Sequence, residues 1–512
     1  MNFFVKYFFT FEPNLTKKTK PMKNLFVSIS LMASAYLSSQ TTIIDKKFDE
    51  KVIPITFEYL PISQKFVLFS GEKIKMTASL FTTTASAFDV NGKESKLFEN
   101  QKYYKCTYSN SENAFMNVDI EKSIWSYNYK VYFNNQVADL SSEKIKDMNF
   151  SYFGIDIGSV AFAQYQRGAG TIDGAFNDFY LLGFSNQKNR YGINFEKDDI
   201  FLEVIELKSG SRKRVQIEKP DLTLLKGDAY AKSKNTITFT SKLNGNENFD
   251  LITKSISADF KTVIIYKSTY DFDGKKLKTV PFTLKLENNF FVISNNGGGP
   301  LYSVSSGPDE FDNLNINNYL EDKKTGDLYV FGIFSDEPIK KIGERTHLKG
   351  YYVFKFDKDG NKLWESINNI DDKEFFEKIK YGQGFDVRLA EYNENLVFSA
   401  SINAFTEFTN ASIIDKKNGA VLKSSFLEYN NNASHEKFSA FINNTYDYKE
   451  LRNKSFSPIS FAAMTLNDDL FKYLKSIPEG DKRLHFTTLF SQQGIWLVET
   501  DNKNYYKVLL FK

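Results

Sequence analysis

The sequence predicts an all-β chain, a β-propeller of four-stranded antiparallel blades, most simply seven, with six to eight compatible with the spacing. Three observations carry this expectation. Phe and Tyr number 50 and 29 while Pro numbers 11, a bias toward residues that fit a half-buried pleated surface. From Thr41 onward, short alternating runs are separated by Asn, Asp, Gly and Ser clusters with almost no sustained helical period. A strand-turn-strand unit also recurs, clearest at Gly350–Ser366 (GYYVFKFDKDGNKLWES).

The chain begins with a segment set apart from these strands. Met22–Gln40 (MKNLFVSISLMASAYLSSQ) has a positive start at Lys23, an apolar run of about a dozen residues and small residues at its end. That pattern predicts a signal peptide, with Met22 the favoured true start, so residues 1–40 are set aside as leader and residues 41–512 are expected to form a single domain. Ala33-Ser34-Ala35 fits a cleavage site, and so does a cut near Ser39 or Gln40. The apolar run is shorter than the ~20 residues that cross a bilayer, so no membrane span is expected and the product is expected outside the cell or in the periplasm.

Composition excludes several function classes. Lys plus Arg number 66 against 63 Asp plus Glu, which gives no electrostatic pull toward nucleic acid. Cys106 is the one cysteine, so internal disulfides and cysteine zinc clusters are excluded; within YYKCTYS it is expected to be a buried, inert thiol. Three histidines, His347, His435 and His485, are too few for a histidine-rich metal centre.

Along the mature chain, Phe385–Tyr392, Asn395–Ile402, Ala411–Ile414 and Ala420–Phe426 form the clearest meander, with a hairpin at Asn393-Glu394 and a turn at Asp415–Gly419. Asp327–Phe334, Tyr351–Phe356 and Lys362–Ile367 give the later strands of a second. Asn177–Phe184, Ile200–Leu207 and Arg212–Glu218 fit a third, while Val263–Gly274 and Ala87–Lys93 look like further copies. The turn glycines Gly92, Gly210, Gly274, Gly360 and Gly419 lie 118, 64, 86 and 59 residues apart, the first gap being twice the last. A period of about 60–65 over about 470 residues gives seven units. The Gly-rich stretch 295–313 is expected to be an inserted loop or hairpin. The chain ends on two apolar strands, Gly494–Val498 and Tyr505–Phe511, and the last needs an edge partner; Val52–Tyr59 is expected to supply it and close the ring. Tandem β-sandwiches are the competing architecture.

The YVFKFDKDGNKLWES pattern resembles the strand-turn-strand of PQQ-like and related bacterial propeller repeats, in which an aspartate, a glycine turn and a Trp close each unit. The MKNLF…LSSQ leader and the Lys- and Asn-rich composition resemble exported proteins of the Bacteroidota. Together these imply an exported propeller of a family without known function. One copy alone carries the Trp, so the resemblance does not extend to a quinone cofactor. The final GIWLVETDNKNYYKVLLFK is faintly similar to the end of a type IX sorting domain, and is assigned instead to the last blade.

No catalytic motif survives inspection. Asp357, Asp359 and Asn361 have calcium-loop spacing, but Lys362 and Asn368 occupy the positions of the required Gly and Glu, which leaves a hairpin turn. His435-Glu436 lacks the second histidine of a zinc motif, with Ser439 in its place, and Gly297-Gly298-Gly299-Pro300 lacks the lysine of a phosphate loop. The loop 335–349 carries Lys340, Lys341, Arg345, His347 and Lys349. Arg345 and His347 are the candidate ligand-binding residues, facing an acidic or sugar ligand from the loop end of a blade. The expected function is a non-catalytic binding or scaffold protein, a monomer with a protein or glycan partner, without metal or cofactor. A glycan-active hydrolase or lyase is the alternative, recognisable by two carboxylates ~5–9 Å apart in the central pocket.

Overall fold

Among the described residues strand follows strand, and the pairing obeys sequence order almost throughout. The computed structural model describes residues 40–49, 51–60, 63–73, 80–104, 107–111, 114–122, 127–133, 136–139, 173–175, 180–185, 199, 201–206, 212–218, 239–244, 248–292, 318–322, 324–338, 349–370, 385–402, 406–430, 437–440, 444–447, 454–456, 463–464, 466–477, 484–501 and 504–512. Residues 1–39, Cys106, Gly210 and the stretch 295–313 lie outside the described residues.

The first strand, β1 (Gln40–Lys47), is followed by β2 (Val52–Leu60), β3 (Lys65–Lys73), β4 (Leu80–Phe88) and β5 (Glu94–Tyr104), which form the first sheet. The second holds β6 (Thr107–Ser111), β7 (Ala114–Lys122), β8 (Tyr127–Phe133) and β9 (Gln136–Asp139). The third holds β10 (Asp173–Ala175), β11 (Tyr180–Ser185), β12 (Phe201–Glu206) and β13 (Arg212–Gln216), and the fourth β14 (Phe239–Asn244), β15 (Asn248–Ile256), β16 (Thr262–Asp271) and β17 (Lys276–Lys285). In the fifth, β18 (Phe290–Phe291) and β19 (Asn318–Glu321) pair with opposite ends of β20 (Leu328–Ser335), followed by β21 (Gly350–Phe356) and β22 (Lys362–Asn369). The sixth runs β23 (Phe385–Tyr392), β24 (Asn395–Ile402), β25 (Thr406–Asp415), β26 (Val421–Asn430), β27 (Lys437–Ala440) and β28 (Asn444–Asp447). The last comprises β29 (Lys454–Phe456), paired parallel with β30 (Leu484–Ser491), then β31 (Gly494–Thr500) and β32 (Tyr505–Phe511).

β32 finds its edge partner in β1, in the sheet order β1-β32-β31-β30-β29. The expected closing strand, Val52–Tyr59, is therefore corrected by some ten residues toward the N-terminus. It is the first strand of its own sheet, paired with β3, whereas Ile43 and Ile44 of β1 are buried against the last sheet.

Sheets four to seven and one stack face against face, and period-two alternation decides which neighbour each side chain meets. Every residue of β20 is buried. Leu328 and Val330 join a core with Val263, Ile265 and Phe282 of the fourth sheet, while Tyr329, Phe331 and Ile333 join one with Leu396 and Phe398 of the sixth. A strand buried on both sides reads as an unbroken apolar run, as LYVFGIF does. β31 divides in the same way: Ile495 and Leu497 face the sixth sheet, and Trp496 and Val498 face Phe66 and Leu68 of the first. In the remaining sheets, β5 lies beside β7, β6 beside β10 and β10 beside β14.

Helix α1 (Asp468–Ser476) interrupts the β pattern. Asn467 caps it by accepting from the Leu470 amide at 2.9 Å, Asp468 and Asp469 suit its positive end, and Leu470 and Leu474 are buried between the sixth and seventh sheets. Asn-Asp-Asp followed by leucines four apart is a helix start signal, and nine residues are too few for the helical period to stand out from the strands around it.

Candidate functional site

The Asp-Gly turns join β4 to β5, β16 to β17, β21 to β22 and β25 to β26. Asp357 Oδ1 accepts from the amides of Asp359 and Asn361, both at 2.9 Å, and Asp89 and Asp271 bind their own turns in the same way. These bonds, led by the Asn361 side-chain donor, hold the exposed Asp357 carboxyl below the usual carboxylate range. Both Asp357 carboxylate oxygens are thus engaged within the turn. Among the described residues, no group of three or more His, Cys, Asp or Glu could hold a metal ion.

The glycine in each turn lets it press on the outer strand of the preceding sheet. A Cβ on Gly274 would lie 2.5 Å from the Gln216 carbonyl oxygen, one on Gly360 2.6 Å from that of Pro281, and one on Gly419 2.6 Å from the Trp364 ring. On Gly92 it would meet the Ile43 carbonyl of β1 at 2.9 Å, so the first sheet leans on the last as the others lean on their predecessors. Trp364 donates its indole N–H to the Lys416 carbonyl at 3.1 Å, which ties the fifth sheet to the sixth.

This end of the sheets also holds a network of partly buried charge. Adjacent acids at the end of β19 reach opposite ways: Glu321 lies 3.5 Å from Lys267 Nζ of the fourth sheet, and Asp322 lies 3.1 Å from Lys416 Nζ of the sixth. Lys267 also pairs with Asp250 at 3.1 Å, to which Thr269 donates at 2.6 Å. Lys416 completes its set with Glu391 at 2.8 Å. Burial opposes the charge on Lys416 and on Lys267, yet the facing carboxylates outweigh it and raise both above the ordinary lysine value. For Asp322, burial is likewise outweighed, by the Lys324 amide and then by Lys416, so its carboxyl is held low. Further in, Lys324 Nζ donates to Gln492 at 3.4 Å, Asn393 N to the Ser491 carbonyl at 2.9 Å, and Gln493 to Gln64 at 2.6 Å. The first turns of the fifth, sixth, seventh and first sheets thus meet at one end.

The opposite end is where a ligand was expected. Arg345, His347, Lys340 and Lys341 lie outside the described residues, as do His435, Glu436 and the Gly297–Pro300 stretch. The foot of the 335–349 loop is fixed: the Lys349 amide donates to the Phe334 carbonyl at 2.8 Å, and its own carbonyl accepts from Ile370 at 2.9 Å.

Toward that end of the last sheet sits a polar cluster that the sequence did not reveal. Glu499, 4% exposed, accepts from Tyr473 of α1 at 2.8 Å and from Tyr505 of β32 at 3.2 Å, while Lys507 Nζ donates to the Tyr473 hydroxyl at 3.1 Å. Burial, and then the Glu499 charge, pushes both phenols above the ordinary tyrosine range. They remain donors at neutral pH, the carboxylate is occupied on both oxygens, and the cluster fastens α1 to the sheet without offering a base or nucleophile. The only sequence signal was a glutamate closing the apolar run GIWLVE.

No protein-family model matches the chain, and no curated protein matches it in sequence. Among solved structures, the chain is similar to a Trypanosoma rangeli sialidase at 9% identity and a TM-score of 0.24, over 92% of this chain and 58% of that one. It is similar to the polysaccharide lyase Uly1 at 8% identity and 0.32, over 90% of each chain. It is also similar to the GH93 alpha-L-arabinofuranosidase of Fusarium graminearum at 8% identity and 0.25, over 92% of this chain and 98% of that one. At these scores the likenesses carry no argument about chemistry.

Proposed function

We propose that the chain is an exported β-propeller whose seven sheets are blades, closed by β1 on β32, and that it serves as a binding or scaffold protein. The sheet order, the glycine contacts from each turn to the preceding sheet, and the lean of the first sheet on β1 support the ring. The observation that carries the non-catalytic reading is the fate of the buried carboxylates among the described residues. Asp250, Asp322, Glu499 and Asp501 are each bound by lysines, hydroxyls or backbone amides. Ligand then enters at the end opposite the Asp-Gly turns, where Arg345 and His347 contact an acidic or sugar group.

The test is a glycan-array and polysaccharide-binding screen of the purified mature protein, run beside assays for reducing-end release and for unsaturated lyase products. Binding without turnover, weakened by Arg345→Ala and His347→Ala, is the expected result. Turnover abolished by replacing a single carboxylate overturns the reading in favour of a glycan-active enzyme. Export is tested by N-terminal sequencing of the protein from cell fractions; an intact Met1 or Met22 in the cytoplasm refutes it.

A further inference from the structure

The seventh sheet has one strand more than its meander needs. β30, β31, β32 and β1 already supply four, and β29 lies beyond β30. In the first, second, third, fourth and sixth sheets the first strand of the meander ends the sheet order, as β2, β6, β10, β14 and β23 do. β29 also runs parallel to its neighbour, with Lys454 opposite Leu484, Ser455 opposite His485 and Phe456 opposite Phe486, whereas β30 pairs antiparallel with β31. In the chain it stands between β28 of the sixth sheet and α1, so it is a stop on a connection and not a turn of the meander.

Its position matters because of the end at which it lies. β30 runs from Leu484 to Ser491, and the Ser491 carbonyl accepts from the Asn393 amide at the end that holds the Asp-Gly turns. Leu484–Phe486 therefore lie at the opposite end, where ligand is proposed to enter. β29 is three residues long beside a strand of eight. The usual strand has about five or six, and parallel pairing holds slightly less per residue than antiparallel. A segment held so briefly leaves at little cost. The edge it leaves carries the backbone N–H and C=O groups with which an extended peptide adds itself to a sheet. The occupant of this edge is already a stretch of extended polypeptide, which defines the chemistry of what replaces it.

We propose that this edge of β30 is a peptide-binding site held by the chain's own β29, and that an extended segment of a partner protein displaces β29 and pairs with β30. The inference rests on the binding-protein reading above and gives that protein a polypeptide partner. The probe is a fluorescent peptide of residues 452–458, RNKSFSP, followed by anisotropy on the full mature chain. Two adjacent prolines, Ser455→Pro with Phe456→Pro, remove whichever amide of β29 faces β30, because successive N–H groups of a strand point to opposite edges. Clearing the edge is expected to tighten peptide binding by about tenfold, since a site open part of the time binds in proportion to that fraction. The same peptide carrying both prolines is expected not to bind. A second variant leaves β29 in place: in a Cys106→Ser background, Ser455→Cys and His485→Cys stand at register partners, and their disulfide locks the strand to β30. Peptide binding lost on oxidation and restored by dithiothreitol is expected. Equal affinity in the parent and the proline variant, binding that survives the locked disulfide, or no peptide binding in any form overturns the proposal. A glycan bound in the screen above without peptide binding here defeats this inference alone. Peptide binding that follows the expected pattern beside carboxylate-dependent turnover upholds it and defeats the non-catalytic reading alone.

Discussion

Replacing Gly360 by alanine measures how closely one sheet rests on the next. Two costs arise, and the molecule contains a control that separates them. Gly360 has φ +91° and Gly326 has φ +76°, so alanine is strained at either position by about 1–2 kcal/mol. At Gly326 a Cβ would have only the Lys358 Cβ within reach, at 3.6 Å, which is ordinary contact. At Gly360 it would fall 2.6 Å from the Pro281 carbonyl oxygen and 3.0 Å from Val280 Cγ1 on the preceding sheet. Either the turn or β17 must withdraw, opening a gap between layers that now touch, at a further cost of about 1–3 kcal/mol. Gly360→Ala is thus expected to lose about 2–5 kcal/mol and Gly326→Ala about 1–2. Urea midpoints at equal m-value read the difference. Equal losses in the two variants would refute the claim that the turn glycine bears on the neighbouring sheet.

Other expectations follow from the buried charge. Lys416→Met strands Asp322 and Glu391 without their cation and is expected to cost about 2–4 kcal/mol by urea unfolding, below the full burial range because Glu391 keeps 26% of its side chain exposed. The loss depends on pH with a definite sign. Asp322 is held below its ordinary value of 3.8 in the folded chain, so its contribution is fully present above that value and disappears as pH falls through the lower folded one. The gap between parent and Lys416→Met should therefore narrow below about pH 4 in a series of urea midpoints. Tyr473→Phe removes one of the two phenols on buried Glu499 and is expected to cost about 1–3 kcal/mol, with earlier hydrogen exchange of α1 than in the parent.

The strands were legible because aromatic and β-branched residues alternate between turn signals. Phe385–Tyr392 and Asn395–Ile402 were placed to the residue, since a two-residue hairpin leaves little freedom in register. The Asp-Gly turn is also legible as a turn. What the sequence concealed depended on contacts across hundreds of residues. β1 is hard to read as the closing strand because its QTTIIDKK run holds only two large apolar residues, while VIPITFEY has the stronger strand character. The acids at Glu321 and Asp322 look like an ordinary solvated pair, and only their position between two neighbouring sheets turns them into opposite ties. Nothing local marks Lys416 as shared between Asp322 and Glu391, 94 and 25 residues away.

Closure of the first sheet on the last is the central claim, and Gln64 and Gln493 test it most directly. Their side chains hydrogen-bond at 2.6 Å although 429 residues separate them. In a Cys106→Ser background, Gln64→Cys with Gln493→Cys is expected to react with a short bismaleimide to give an intramolecular bridge in nearly every molecule. Proteolysis and mass spectrometry would identify the linked peptides. The bridge should form far faster in the folded chain than in urea. A rate no greater than in urea, or bridges only between molecules, would contradict the ring.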